Sequence, residues 1–116
     1  MRVYYAHCMA LYNTPQEKRD VVLLRKLGFE VVNPNTKECD QGAKLYGMHY
    51  FKRFAKTCDL VAFRALPDGA IPSGVALELE WFKELSKPVI ELPSGVERRG
   101  ISREATRQYL REVGWK

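Results

Sequence analysis

The sequence predicts one three-layer α/β domain, spanning residues 1–116, with a four- to five-stranded, mostly parallel sheet. Three observations predict it. Strand-type apolar runs alternate with helix-period segments along the whole chain. The run Leu60-Val61-Ala62-Phe63 is continuously apolar, as in a strand covered on both faces. A chain of 116 residues fits one core and leaves little room for a second.

The elements follow in order. Residues 2–6 are β-branched and aromatic and read as a strand. Thr14, Pro15 and Glu17 form a capping box with proline at the first helical position. That helix runs to about Leu27, and Gly28 suits the residue past its end. Residues 29–32 form a second strand, stopped by the turn-rich Asn33-Pro34-Asn35-Thr36. Residues 37–47 are polar and contain glycine, so they read as a loop with at most a short helical turn. From Met48 to about Cys58, Tyr50, Phe51, Phe54 and Ala55 fall at helical spacing. The strand at 60–63 follows, then a Pro/Gly loop over 64–73 and a helix from Gly74 to about Leu85. Residues 88–92 form the fourth strand, and a loop at 93–100 leads to a last helix over about 102–112. This order implies right-handed crossovers and a Rossmann-like or flavodoxin-like arrangement. Ligands of such sheets bind at the carboxyl ends of the strands, beside a switch in strand order.

Hydrophobic residues make up 46% of the chain, enough for a core, yet no apolar run approaches membrane-span length. The N-terminus lacks the apolar stretch and cleavage site of a signal peptide, so a cytoplasmic protein is expected. Cys8, Cys39 and Cys58, with His7 and His49, match no metal-ligand spacing. The cysteines read as reduced structural thiols, and neither a metal nor a cofactor is expected. The net charge of +5 suits either a nucleic acid or a phosphate-bearing ligand. Its densest basic stretches, Lys52-Arg53 with Lys56 and Arg98-Arg99 with Arg103, read first as solvated faces.

Glu78 stands out on the helix that starts at Gly74. At about 100° per residue, Val75, Leu79, Phe82 and Leu85 gather on one side, and Glu78 falls within that apolar arc. A carboxylate there is partnered, protonated or facing a cleft, because a buried unpaired charge costs several kcal/mol. Ser73 reads as the helix cap, or as a phosphate contact, and Gly74 permits close backbone approach. Asp68-Gly69 is a turn signal first and a site candidate second.

The segment Ser73-Gly74-Val75-Ala76-Leu77-Glu78 resembles the Gly-[Thr/Val]-x-x-Glu signature of the nucleoside 2-deoxyribosyltransferase superfamily, which includes 2′-deoxynucleoside 5′-monophosphate N-glycosidases and cytidylate hydrolases. Val3-Tyr4-Tyr5-Ala6 is similar to the family's first strand. Cys58-Asp59-Leu60-Val61-Ala62-Phe63 and Lys87-Pro88-Val89-Ile90 are similar to two later strands, so the likeness spans most of residues 2–92. The resemblance implies that Glu78 attacks the anomeric carbon of a nucleoside or nucleotide, giving a covalent glycosyl-enzyme. It implies a supporting role for Asp59, since paired carboxylates recur in glycosidic cleavage. It makes Tyr5 a pocket residue, although an inward strand tyrosine also suits ordinary core. His7, Asn13 and the start of the first helix are candidates for binding an anion or a hydroxyl. Two departures stand out: His7-Cys8-Met9-Ala10 replaces a glycine-rich stretch, and Glu80 replaces a glycine.

The expectation is therefore cleavage or transfer at an N-glycosidic bond. A non-catalytic nucleotide-binding module of the same fold is the alternative. Nucleic-acid binding ranks last, because the sequence shows no interleaving of basic and aromatic residues. The resemblance also implies a homodimer. Tyr46, Tyr50, Phe51 and Phe54 supply more aromatic surface than one helix face needs.

Overall fold

The computed structural model of the chain describes residues 1–93, 102–112 and 114. Four strands form one parallel sheet: β1 (Arg2–His7), β2 (Glu30–Val32), β3 (Leu60–Arg64) and β4 (Val89–Glu91). Their order is β2-β1-β3-β4. The chain starts in the middle of the sheet, steps to β2 on one side, then returns past β1 to β3. The strand order thus reverses between β1 and β3. In register, Tyr4 lies beside Val61, Tyr5 beside Ala62 and His7 beside Arg64.

Side chains alternate across the pleat and divide the core in two. Val3, Tyr5, Leu60 and Ala62 pack with Leu24 of α1 (Pro15–Lys26). Tyr4, Ala6, Val61 and Phe63 pack on the other face, with Ala55 of α3 (Lys52–Thr57) and with Val75, Leu79 and Phe82 of α4 (Ser73–Glu84). The three-layer α/β class is as the sequence predicts.

The start of α1 differs from the predicted box in one bond. Thr14 Oγ1 accepts from Glu17 N at 3.3 Å, but the Glu17 carboxylate accepts from Asn13 N rather than Thr14 N. Thr14 N is already used, donating to Leu11 O within the 3-10 turn Met9–Leu11 and its exit. Gly28 ends the helix at φ +92°, which favours glycine.

The largest correction concerns residues 37–47, expected to be a loop. They form α2 (Lys37–Tyr46), capped by Thr36, whose hydroxyl accepts from Cys39 N at 3.1 Å. Glu38 and Asp40 lie in its first turn and Lys44 in its last, each suited to the helix dipole. Gly42 made the segment read as a loop, and packing explains it: a Cβ there would lie 2.3 Å from the ring of Tyr50. The next predicted helix is two pieces, a 3-10 segment over Gly47–Phe51 and then α3. The cap of α4 is also corrected: Pro72 is the N-cap, without a side-chain bond, and Ser73 is the first helical residue.

Lys87 anchors the entry to β4. Its ammonium donates to the carbonyls of Ala55 and Cys58, at 2.6 and 2.8 Å, around the end of α3. The last helix is α5 (Arg103–Glu112), while residues 94–100 of the expected loop lie outside the described residues. Among the described residues no helix is long and apolar enough to cross a membrane.

Candidate active site

Glu78 lies about a turn and a half into α4. It is only 7% exposed, on the helix face that packs on the sheet. Among the described residues no Lys, Arg or His forms an ion pair with it. Its polar partner is the hydroxyl of Tyr4 on β1, which donates to Oε2. Burial pushes the Glu78 carboxyl up from its ordinary value to about 7, and the Tyr4 bond works the other way. Burial, then the nearby Glu78 charge, raises the Tyr4 phenol well above its usual range, so it stays a donor.

A cavity of 630 Å³ opens in front of this carboxylate. It lies beside the carboxyl end of β1, next to the reversal in strand order. Tyr4 and His7 contribute from β1 and Tyr12 from the turn after it. Asn35 and Cys39 contribute from the start of α2, with Met48 and Phe51 from the 3-10 segment and Gly74 from the start of α4. The lining is mostly apolar, so a charge on Glu78 has little competing solvation. Gly74 sits near Met48, where an added Cβ would be 3.6 Å from Cε, an ordinary contact. Tyr12 faces the same region: burial, then the Glu78 charge, raises its phenol.

A second polar group borders the cavity. His7 Nε2 lies 2.7 Å from Glu17 Oε2, and Nδ1 lies 3.1 Å from the carbonyl of Tyr5. The imidazole stacks on Tyr5 at 3.9 Å between centroids. Glu17 also accepts from Asn13 N and from Asn35 Nδ2. Burial alone would raise its carboxyl, but the bonds from His7, Asn13 and Asn35 hold it below the ordinary value. This cluster ties the loop after β1 to the start of α1 and to the turn after β2.

The structure brings Glu78, His7 and Gly74 to the cavity wall and separates the other candidates from it. Asp59 is the main correction. It precedes β3, so it sits at the amino end of that strand, where Oδ2 accepts from Arg2 N at 2.7 Å. Tyr5 points to the opposite face and donates to Asp20 at 2.6 Å, so Tyr4 occupies the position expected of Tyr5. Asn13, at φ +62°, is bonded to Asn35 and does not line the cavity. Asp68 is exposed and closes its own turn by accepting from Ala70 N. Ser73 does not line the cavity either. His7 reaches it, but both ring nitrogens are engaged, which leaves no free edge for an anion. Sequence reasoning missed Tyr12, Asn35 and Cys39: Tyr12 lies in the turn after β1, Asn35 in the turn after β2, and Cys39 on the unforeseen α2.

Replacing Tyr4 with Phe removes a bond that favours ionised Glu78. The Glu78 midpoint is expected to move above about 7 in Tyr4→Phe. A carbon-13 titration of the glutamate carboxyls measures this without any substrate, and an unmoved or lowered midpoint contradicts it.

No family model, no curated protein and no solved structure matches the chain. The fold and the site together define a doubly wound parallel α/β domain with a buried carboxylate that accepts from Tyr4 and faces a largely apolar cavity.

Proposed function

We propose that the cavity binds a nucleoside or nucleoside 5′-monophosphate and that Glu78 cleaves or transfers at its N-glycosidic bond. The observation that carries this reading is a 7%-exposed carboxylate with no cation partner among the described residues, aimed into a cavity. The motif Gly74-Val75-Ala76-Leu77-Glu78 supplies the class of substrate by its resemblance to the deoxyribosyltransferase superfamily. In the proposed step a Glu78 oxygen forms a bond to the anomeric carbon as the C–N bond breaks, and the electron pair leaves with the base. Water or a second base then releases the sugar. Tyr4 holds the attacking carboxylate in one orientation, a positioning role. Asp59 has no part in this version.

The position of Asp59 favours one second reading. With Asp59 outside the cavity, and the cavity's other lining carboxylate, Asp40, held by Lys44 at 3.1 Å, the same fold would serve as a non-catalytic nucleotide-binding module. Incubation with a panel of deoxynucleosides and their 5′-monophosphates separates the two. Base release, followed by chromatography, supports the enzyme; saturable binding without release supports the module; neither overturns both.

A homodimer belongs to the same proposal. Tyr50 and Phe54 are packed within the chain, and Leu45 remains exposed. Light scattering at twice the chain mass is expected, and a single-chain species overturns it.

A further inference from the structure

The stretch from Tyr46 to Lys56 borders two cavities. Met48 and Phe51 line the one that holds Glu78. Tyr46, His49, Tyr50, Lys52, Arg53 and Lys56 line a second depression of 420 Å³. No carboxylate lines it. Three permanent cations and a histidine therefore crowd together without a counter-charge, an arrangement that repels itself until an anion arrives.

The contrast with the other cations is informative. Lys44 is held by Asp40 and Lys83 by Glu80. Among the described residues, Lys52, Arg53 and Lys56 form no ion pair, and all three are exposed. The aromatic rings are equally specific. Tyr50 is buried against Gly42 on one side and carries the Arg53 guanidinium at 4.3 Å from its centroid. This fixes the guanidinium on a rigid platform. Tyr46 is 66% exposed at the rim.

We propose that this depression binds single-stranded nucleic acid, with phosphates on Lys52, Arg53 and Lys56 and a base stacked on Tyr46. Cationic side chains interleaved with aromatic faces are what such strands need, since every base offers a π-face and every linkage a charge. An exposed tyrosine face can stack only on an unpaired base, which favours a single strand over a duplex. The expectation of no interleaving is corrected here: Tyr50-Phe51-Lys52-Arg53-Phe54-Ala55-Lys56 interleaves rings and cations, and Tyr46 lines the same depression as those cations. This site does not depend on the chemistry of Glu78.

Fluorescence anisotropy with a labelled oligothymidylate of roughly 20 nucleotides tests the proposal on the full chain. Binding is expected to weaken linearly in a plot of log affinity against log salt. Replacing Lys52, Arg53 and Lys56 together by Gln should flatten that slope by about 2, since each phosphate contact on a single strand contributes about 0.7. Tyr46→Ala should weaken binding by at least about fivefold and leave the slope unchanged. All four side chains are exposed, and circular dichroism checks that the variants keep their fold. An unchanged slope in the triple variant overturns the proposal. So does duplex binding as tight as single-strand binding, or stronger capture by phosphatidylserine vesicles than by the oligonucleotide.

Discussion

Glu78→Gln is expected to abolish base release and, at the same time, to stabilise the domain above neutral pH. The amide keeps the shape of the side chain and can still accept from Tyr4, but it is a poor nucleophile. On the proposed mechanism the loss is at least about a thousandfold, in line with removal of other enzymatic nucleophiles. Release that survives in this variant removes Glu78 from the chemistry. The stability gain follows from the raised carboxyl. Folding holds Glu78 at about 7 against an ordinary 4.5. A carboxyl raised by folding contributes stability that is complete below 4.5 and is lost as pH climbs through about 7. The wild type therefore weakens across that window, by up to about 3 kcal/mol, while the neutral glutamine does not. Denaturation midpoints of the two proteins should differ little in mild acid and separate in mild alkali. A wild type whose stability is flat across the window would show that burial does not hold the proton. The same titration sets the expected rate profile: activity rises with pH through about 7, because only the ionised form attacks.

Asp20→Ala is expected to cost about 3–5 kcal/mol. Asp20 is 1% exposed and accepts from Arg64 Nε and Nη2, from Tyr5 and from Gln16. Removing it leaves the guanidinium of Arg64, itself 6% exposed, with the carbonyl of Pro93 as its hydrogen-bond acceptor among the described residues. Burial opposes the charge on Asp20, but the bonds from Arg64, Tyr5 and Gln16 outweigh it and hold the carboxyl below its ordinary value. The stability it supplies is thus present above the unfolded value and disappears as pH falls through the folded one. Urea midpoints at neutral pH should show the full loss, and the gap to wild type should narrow in strong acid. A neutral-pH loss under about 1 kcal/mol would mean that Arg64 escapes to solvent.

Strands and the first helix are legible because their signals are local. The apolar run at Leu60 and the Thr14-Pro15-Glu17 start need no tertiary partner. α2 is illegible for the opposite reason: Gly42 lowers its intrinsic helix preference by about 1 kcal/mol, and the ring that packs on it belongs to Tyr50, beyond the end of the helix. Glu78 is visible from helical spacing alone. Asp59 misleads although the needed signal is present, since a residue that precedes a parallel strand lies at the end opposite the ligand. The choice of Tyr5 over Tyr4 fails on parity. The residues alternate, but which set faces α4 depends on which helix covers which face.

That parity also acts as a check on assembly. Tyr4 and Tyr5 send adjacent hydroxyls through opposite faces of the sheet, one to Glu78 and one to Asp20. If β1 slid by one residue in one direction, Ala6 would stand before Asp20; in the other, Val3 would stand before Glu78. Either mistake strips a donor from a buried carboxyl group, at about 1–3 kcal/mol. The central strand is therefore proofread twice, and the side chain proposed to do chemistry is also one of the two readers.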